Sequence, residues 1–473
     1  MRFGFLAGLV AGAAVLAASA LLRVVLSVPI PAELMWDFAV GKLPGTFFSA
    51  ALDSLRYAAK PLFLAGLILL QLLAAGLLGT AYGLLGVAAA LAAGVALEGP
   101  GAWAPLLAAL LPFALLQALL LARLDSPTPE RRRDGVLDTV RRDLLWKGVV
   151  GLTAVAAGGT LAKALSAAVS GGSVVARPPA AKLSSYITPN DQFYRVSKNL
   201  SDPVIEARSW HLEIKGLVGT PLRLTLDELR SLPAVTQAAT LECISNEVGG
   251  DLMGNAVWKG VPLRHLLRKA DIAPRAIDVA LHAADEYTDS IPVEKALDPA
   301  TLLAYEMNGE ALSPAHGFPV RLLVPGIYGM KNVKWLTAVE PVALDFEGFW
   351  QAQGWSDAAE IRTTSRIDVP RQGEVVAIPA VIGGVAFAGE RGILRVEVSW
   401  DGGKSWRAAR LGQRESPYSW VLWLLDWDAA TEGAQTVYVR AADGAGLLQA
   451  GKIEPPFPNG ASGYHEVTFF TGP

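Results

Sequence analysis

One cysteine, Cys243, occurs in the 473 residues. The chain can close no internal disulfide and offers no Cys-rich metal cluster. Histidine is also scarce: His211, His265, His282, His316 and His465 are the only five, all beyond residue 210. No Cys-x-x-Cys-His run exists for covalent haem attachment. The apolar N-terminal stretches have no histidine to serve as an axial ligand, so they hold no bis-histidine haem. Charge is missing only in places, and residues 62–78 carry none, which a solvated helix would not tolerate. The net charge is −3 and the C-terminal part contains no long basic tract, which argues against nucleic-acid binding.

The composition divides in two. Up to about residue 170 it is dominated by Ala, Leu, Gly and Val, and beyond that it is that of an ordinary globular protein. A spanning helix needs about 20 apolar residues. Stretches 3–28, 61–83, 84–97, 105–122 and 148–169 qualify or nearly so, giving five spans, or four if the short third merges with the second. Arg123, Arg131, Arg132, Arg133, Arg141, Arg142 and Lys147 crowd the segment before the last span. Such an excess marks a cytoplasmic loop, so the last span leads outward and the rest of the chain is expected on the extracytoplasmic side of the cell membrane. Arg141-Arg142 ahead of the Gly/Ala-rich 148–169 also resembles a twin-arginine export signal, which serves proteins folded before export.

After a Pro/Ala/Ser linker at 173–185, patterning predicts strands at 209–218, 236–243, 277–283 and 319–324 and helices at 225–232 and 261–270, an α+β mixture. Beyond about residue 366, strands at 374–387, 393–400, 419–426 and 436–441 with no helix predict a β-sandwich of immunoglobulin type. Asp401-Gly402-Gly403 marks a hairpin.

Four segments concentrate chemistry-bearing residues: 190–199, 241–247, 305–321 and 324–335. They set Arg195, His316, Arg321 and Lys334 around the thiol of Cys243, among glycines and prolines that shape loops. Donors with close backbone approach suit a ligand bearing a phosphate and many acceptors, and nearby positive charge would favour a metal-binding thiolate. Taken singly, each residue also has a structural reading. Cys243 can be inert packing, Arg321 the outer face of a strand and His316 a loop hydrogen-bonder.

Together, Tyr305-Glu306-Met307-Asn308-Gly309, His316-Gly317-Phe318-Pro319-Val320-Arg321, Val333-Lys334-Trp335-Leu336 and the 395–406 run resemble the sulfite oxidase family of molybdopterin enzymes, across about 187–473. The apolar composition gives an α-helical membrane region (1–147, then a last span at 148–170), and the resemblance implies that a molybdopterin-binding α+β domain (171–365) follows it. An immunoglobulin-like dimerisation-type domain (366–473) completes the expected architecture. The resemblance implies Mo-molybdopterin, with Cys243 as the protein's thiolate on molybdenum, and the histidine and cysteine pattern above adds the expectation of no haem. Tyr194, Arg195, His316, Arg321, Asn332, Val333 and Lys334 would contact the pterin and its phosphate, and Arg195 and Asn246 would join Cys243 in the catalytic set. The implied chemistry is two-electron oxygen-atom transfer, with electrons passed singly to a separate carrier protein or quinone-linked partner.

Three positions depart from the sulfite-oxidising pattern. Glu247 stands where those enzymes carry an arginine, and an acidic group repels sulfite. Trp355 stands where they present a tyrosine, and Arg414 is out of register with a further arginine. The expected substrate is therefore a small molecule other than sulfite. Two alternatives are a reductase of sulfoxides, N-oxides or nitrate on the same cofactor, and a membrane-tethered binding module without catalysis.

Overall fold

The structure, a computed structural model, describes residues 183–199, 202–428 and 432–472. The expected spans, basic loop and export-like signal fall on residues 1–170, outside the described residues. Among the described residues no helix is long and apolar enough to cross a membrane.

The first region comprises β1 (His211–Ile214), β2 (Leu222–Thr225), α1 (Leu226–Arg230), β3 (Val235–Glu242), β4 (Met253–Pro262), α2 (Leu263–Lys269) and β5 (Asp278–Ala283). It continues with β6 (Thr288–Pro292), α3 (Val293–Ala296), β7 (Leu302–Met307), β8 (Glu310–Ala311), β9 (Arg321–Leu323) and β10 (Leu336–Val342). One sheet runs β2-β1-β10-β5-β6, and a second runs β3-β4-β7-β8 with β9 on β7. Leu212, Val279 and Val339 of the first sheet share one core with Val261, Leu303 and Leu322 of the second and with Leu229 and Leu266 of α1 and α2. The far face of the second sheet packs separately, around Leu241, Trp258 and Phe193. That sheet is buried on both faces, so the strand end bearing Cys243 is held from two sides.

The helices are shorter than the pattern suggested, and the region is mostly β rather than an even α+β mixture. Pro262 and Pro292 stand at the starts of α2 and α3, and Pro233 follows α1. The missing N–H and locked φ of proline keep helices from extending across these points. At α1, the Thr225 hydroxyl accepts from the Glu228 N–H while Glu228 accepts from the Thr225 N–H, a reciprocal cap legible as Thr-x-x-Glu. The helix expected from residue 261 starts at Leu263 because β4 runs on through Pro262.

The second region holds β11 (Thr364–Val369), β12 (Val375–Val376), β13 (Ala380–Phe387), β14 (Ile393–Ser399), β15 (Arg407–Ala408), β16 (Arg410–Leu411), β17 (Val421–Trp427), β18 (Gly433–Asp443) and β19 (His465–Thr471). Sheets β11-β13-β17-β16 and β12-β19-β18-β14-β15 face each other over a core that includes Ile382, Trp423, Val398 and Phe469. This is a two-layer sandwich. The strand expected over 374–387 is two strands: β12 pairs with β19 in one sheet, and β13 pairs with β11 and β17 in the other. In the 399–406 hairpin the Asp401 carboxylate accepts from the Ser405 hydroxyl, the Ser405 N–H, the Ser399 hydroxyl and the Lys404 N–H, and these bonds hold its pKa far below the ordinary carboxylate range.

Met307-Asn308-Gly309-Glu310, quoted above as part of a family signal, is a tight β7–β8 turn with φ +53° and +82° at its centre, an Asn-Gly hairpin. The Asn308 amide also accepts from the Val257 N–H and donates to Thr188 O and Asn190 Oδ1. It latches the 186–195 segment onto the sheet. Asn308→Ala loses three such bonds and a side chain suited to positive φ. It is expected to destabilise the fold by roughly 2–4 kcal/mol, measured by urea denaturation. An unchanged midpoint would show the latch to be dispensable.

His465 Nδ1 accepts from the Ile367 N–H, tying β19 to β11 across the two sheets. Burial, aided by Arg366, lowers its pKa to about 4. An unfolded histidine titrates near 6.5. Between those pH values the unfolded chain binds a proton that the folded one refuses, so stability is full above pH 6.5 and falls as pH drops toward 4. Discounted for partial exposure, the loss attributable to His465 is about 1–2 kcal/mol. His465→Gln is expected to flatten that part of the stability–pH curve, read by denaturation at pH 7 and pH 4.5; the same slope in the variant would assign it elsewhere.

Candidate active site

Cys243 follows the last residue of β3, and its N–H still donates to Leu252 O at 2.9 Å, so the loop between them closes on itself. Asn246 braces that loop: its Oδ1 accepts from the Leu252 N–H at 3.0 Å and its Nδ2 donates to Glu242 Oε1 at 2.9 Å. Both ends of the amide are engaged, which makes Asn246 a support for the thiol rather than a free contact for a ligand. The sandwich clamps the same loop. Arg366 of β11 donates to Gly250 O at 2.8 Å and pairs with Asp368 at 2.7 Å. The His465 ring lies against Gly249, where any side chain would overlap it.

The thiol is 8 % exposed and lies 3.0 Å from Ser245 Oγ. Burial pushes its pKa up; the Ser245 contacts oppose this and the Glu242 carboxylate adds to it. The expectation that cations would hold it as a thiolate is not met by the protein alone, since no arginine or lysine acts on it at short range. Glu242, 4 % exposed, is itself pushed up to about 7 by burial, and its Oε2 has no hydrogen-bond partner.

The cations gather elsewhere in the site. His316 ends a short 3-10 turn, and Gly317 follows at φ +103°. A side chain at 317 would strike Lys334 and Arg321, so this glycine lets the two cationic side chains start side by side. Arg321, on β9, is 6 % exposed. It donates to His316 O and Asn332 O, lies over the Trp258 ring at 5.1 Å, and leaves Nε unpartnered. Burial lowers Arg321 to about 10. Burial also lowers Lys334 to about 8, with Arg321 and Arg195 pushing the same way and Asp202 and Asp285 opposing. His316 falls to about 4 through burial and the same three cations, its Nε2 donating to Asn190 O at 3.0 Å. Arg195 is half-buried and makes no hydrogen bond or ion pair among the described residues.

Asn332 and Val333 are placed differently. Asn332 accepts from the Val324 N–H at 2.6 Å and donates to Tyr328 O, holding its loop shut. Val333 is buried in the main core. From 332–334, only Lys334 brings its side chain to the cation cluster, while Asn332 meets Arg321 through its backbone carbonyl.

Tyr194 connects the two ends. Its pKa is raised well above 10, first by burial and then by the Cys243 charge, while Arg321 opposes. Its hydroxyl lies against Gly329, whose Cα faces the Glu242 carbonyl. Thiol and cation cluster are thus opposite ends of one site with Tyr194 between them. Tyr194, Arg195, Met330 and Lys334 keep accessible surface, as residues lining a cleft do. Among the described residues no three His, Cys, Asp or Glu side chains are placed to hold a metal ion, so a metal on Cys243 must take its other ligands from elsewhere.

Several residues here were missed by the sequence reading. Tyr287 donates toward Asp289 Oδ2 at 2.7 Å and Met330 O at 3.0 Å, and the Cys243 charge is among the causes that raise its pKa. Lys331, 2 % exposed, bridges Asp289 and Asp357. Tyr287-x-Asp289 at strand spacing puts both on one face of β6 and its approach, the one signal that was available. The three departing positions are also placed. Glu247 is half-buried in the Cys243 loop, Trp355 is buried edge-on to Phe457 at 5.1 Å with Nε1 unpartnered, and Arg414 lies against Gly392.

Comparison with known proteins identifies the family. The family model for the oxidoreductase molybdopterin binding domain matches residues 199–350, and that for the Mo-co oxidoreductase dimerisation domain matches 357–454. Sulfite oxidase of Arabidopsis thaliana is 31 % identical over 341 residues, covering 59 % of this chain and 86 % of that enzyme. The mitochondrial sulfite oxidase of Homo sapiens is 34 % identical, with 59 % of this chain and 60 % of that enzyme covered, so the chain spans less than two thirds of the human protein. Nitrate reductase [NADH] 2 of Phaseolus vulgaris is 32 % identical over 54 % of this chain and 36 % of that enzyme. Among solved structures, the sulfane dehydrogenase SoxCD from Paracoccus pantotrophus superposes with a TM-score of 0.52 at 27 % identity, covering 60 % of this chain and 81 % of that one. The chain belongs to the sulfite oxidase family of molybdenum-dependent, molybdopterin-binding oxidoreductases.

Proposed function

We propose that this protein is a membrane-anchored, extracytoplasmic member of that family that carries out two-electron oxygen-atom transfer on a substrate other than sulfite. The observation that carries the reading is the pairing, through Tyr194, of a lone buried thiol with a desolvated cation cluster. The residues fit the group. Arg321 keeps an unpartnered buried Nε, Arg195 has no anionic partner among the described residues, and Lys334 is discouraged from its own charge. A phosphate relieves all three. Cys243 would bind the metal, while Tyr194, Arg195, His316, Arg321 and Lys334 would hold the pterin and its phosphate. Asn246, Asn332 and Val333 would keep the loops in place. When bound, the molybdenum–pterin group supplies the redox chemistry, and the protein orients substrate and sets the local charge.

Glu242 beside the thiol and Glu247 in the same loop, with buried Trp355 in place of a tyrosine, favour a substrate less anionic than sulfite. Electrons leave singly to a separate carrier, without a haem in this chain. The apolar composition of residues 1–170 supports the anchor, and the basic segment at 123–147 supports the outward placement of the site. The sandwich, of immunoglobulin type, serves as a pairing domain. A nitrate reductase among the relatives keeps the reverse flow, reduction of nitrate, sulfoxides or N-oxides, as the second reading.

The full-length protein, made in a host that synthesises the cofactor, is expected to carry stoichiometric molybdenum and pterin by elemental analysis. Assay against sulfite, sulfoxides, N-oxides and nitrate with artificial donors and acceptors then fixes direction and substrate. Cys243→Ser is expected to abolish turnover. Metal-free wild-type protein, or full activity in the variant, would refute the reading. Lys334 binds an anion only when protonated, so cofactor retention is expected to fall as pH rises through about 8 and to persist to higher pH in Lys334→Arg. Identical retention curves would remove Lys334 from the site.

A further inference from the structure

We propose that Tyr287, Asp289, Lys331 and Asp357 form a proton path between the Cys243 end of the site and solvent. The proposal rests on the oxidoreductase reading above, because such chemistry creates the need for it. Transfer of a water oxygen to a substrate releases two protons and two electrons, and the reverse reaction takes them up. The electrons pass to, or come from, a one-electron carrier. The protons do not travel with the electrons and need their own route, which bonded groups of the protein can supply.

The four groups are continuous. Asp357 is half-exposed, at 51 %, and its Oδ1 lies 2.7 Å from Lys331 Nζ. Lys331 is 2 % exposed and stands 3.2 Å from Asp289 Oδ1, and Asp289 is fully buried. Asp289 Oδ2 accepts from the Tyr287 hydroxyl at 2.7 Å, and the same hydroxyl reaches Met330 O at 3.0 Å. Met330 follows Gly329, which packs against the Glu242 carbonyl and the Tyr194 hydroxyl, so the inner end of the chain lies against the backbone next to Cys243. Gln351 Nε2 and the Ser290 N–H both donate to Asp289 Oδ1 and fix the carboxylate in place.

A structural reading explains less. One buried lysine needs one carboxylate, yet Lys331 touches two, one deep and one at the surface. Each link can both give and take a proton. A proton arriving on the Tyr287 oxygen displaces the phenol's own to Asp289. Asp289 passes it to Lys331 as Lys331 releases one to Asp357, and Asp357 gives it to water. One proton enters, one leaves, and the chain's charge is unchanged. Burial raises the Asp289 pKa, although Lys331 opposes this, which brings its proton affinity nearer to that of its neighbours.

The test uses full-length holoenzyme, reduced with dithionite, freed of excess reductant and mixed with ferricyanide in lightly buffered solution. Stopped-flow absorbance follows re-oxidation, and a pH-indicator dye follows proton release. In Asp357→Asn, proton release is expected to slow about tenfold, with metal content and thermal melting unchanged, and added imidazole is expected to restore it. Tyr287→Phe is expected to slow release without rescue, because the break is internal. Wild-type release in Asp357→Asn, insensitive to imidazole, would overturn the path. Because Asp357 is at the surface, the result holds even if Asp289→Asn fails to fold. Protein purified without molybdenum would refute the cofactor reading; a metal-loaded protein with unaltered proton release refutes the path alone.

Discussion

A buried guanidinium without a carboxylate is the constraint that orders the site. Arg321 has given up water for two carbonyls and the face of Trp258, and one of its donors is left with nothing. Its lowered pKa near 10 still leaves it charged at neutral pH. Taking a charge into a low-dielectric interior costs several kcal/mol unless a partner offsets it. The surrounding structure is arranged to hold that cost. Gly317 admits the Arg321 and Lys334 side chains together, Asn332 closes the loop that presents a carbonyl to Arg321, and the Asn308 turn fixes the segment carrying Tyr194 and Arg195. The arrangement is a binding site with its compensating anion left to the ligand.

The thiol end follows the opposite logic. Burial and Glu242 favour the neutral form, so the protein does not prepare a thiolate in advance. Only a metal bound directly to sulfur supplies enough local positive charge to draw the proton off. On the proposed reading the two ends would be loaded together, a phosphate satisfying the cations while a metal satisfied the sulfur. A ligand carrying both, and spanning the distance past Tyr194, meets both conditions at once.

Legibility in the sequence followed the range of the interaction. Strand ends, the Thr225 cap and the Cys243 position at the end of β3 depend on neighbours a few residues away and were readable. Residue roles within motifs were less so. Asn332 and Val333 share a motif with Lys334, yet only Lys334 sends its side chain to the cations, because the Asn332 amide is engaged by Val324 and Tyr328 and the Val333 side chain by the core. Tyr305-Glu306-Met307-Asn308-Gly309 was read as a family signal, and its Asn-Gly proves to be a turn. The Tyr287–Asp289–Lys331–Asp357 chain was legible only at its Tyr287-x-Asp289 step, since its other links join residues 26 and 42 positions apart through folding alone. No spacing rule reaches that far. The switch of the chain between sheets at 375–387 was hidden for the same reason, since each half reads as a strand and only the partners differ.

The end sandwich is more than an appendage to this site. Arg366 of β11 holds the Gly250 carbonyl, His465 of β19 fills the space beside Gly249, and Trp420 donates through its N–H to Thr240 on β3. The Cys243 loop is thus enclosed by two folded regions, and its geometry depends on both. Arg366 also bears on Glu242, the acid preceding the thiol, whose pKa near 7 it helps to lower. A change in how the sandwich pairs or packs would be felt first at that carboxylate and then at the sulfur beside it. Glu242 at the thiol end and the cations at the other make the site asymmetric in charge, with a carboxyl raised to about 7 on one side and Arg321 charged on the other. An anionic ligand would therefore seat its negative groups at the cation end, away from the thiol.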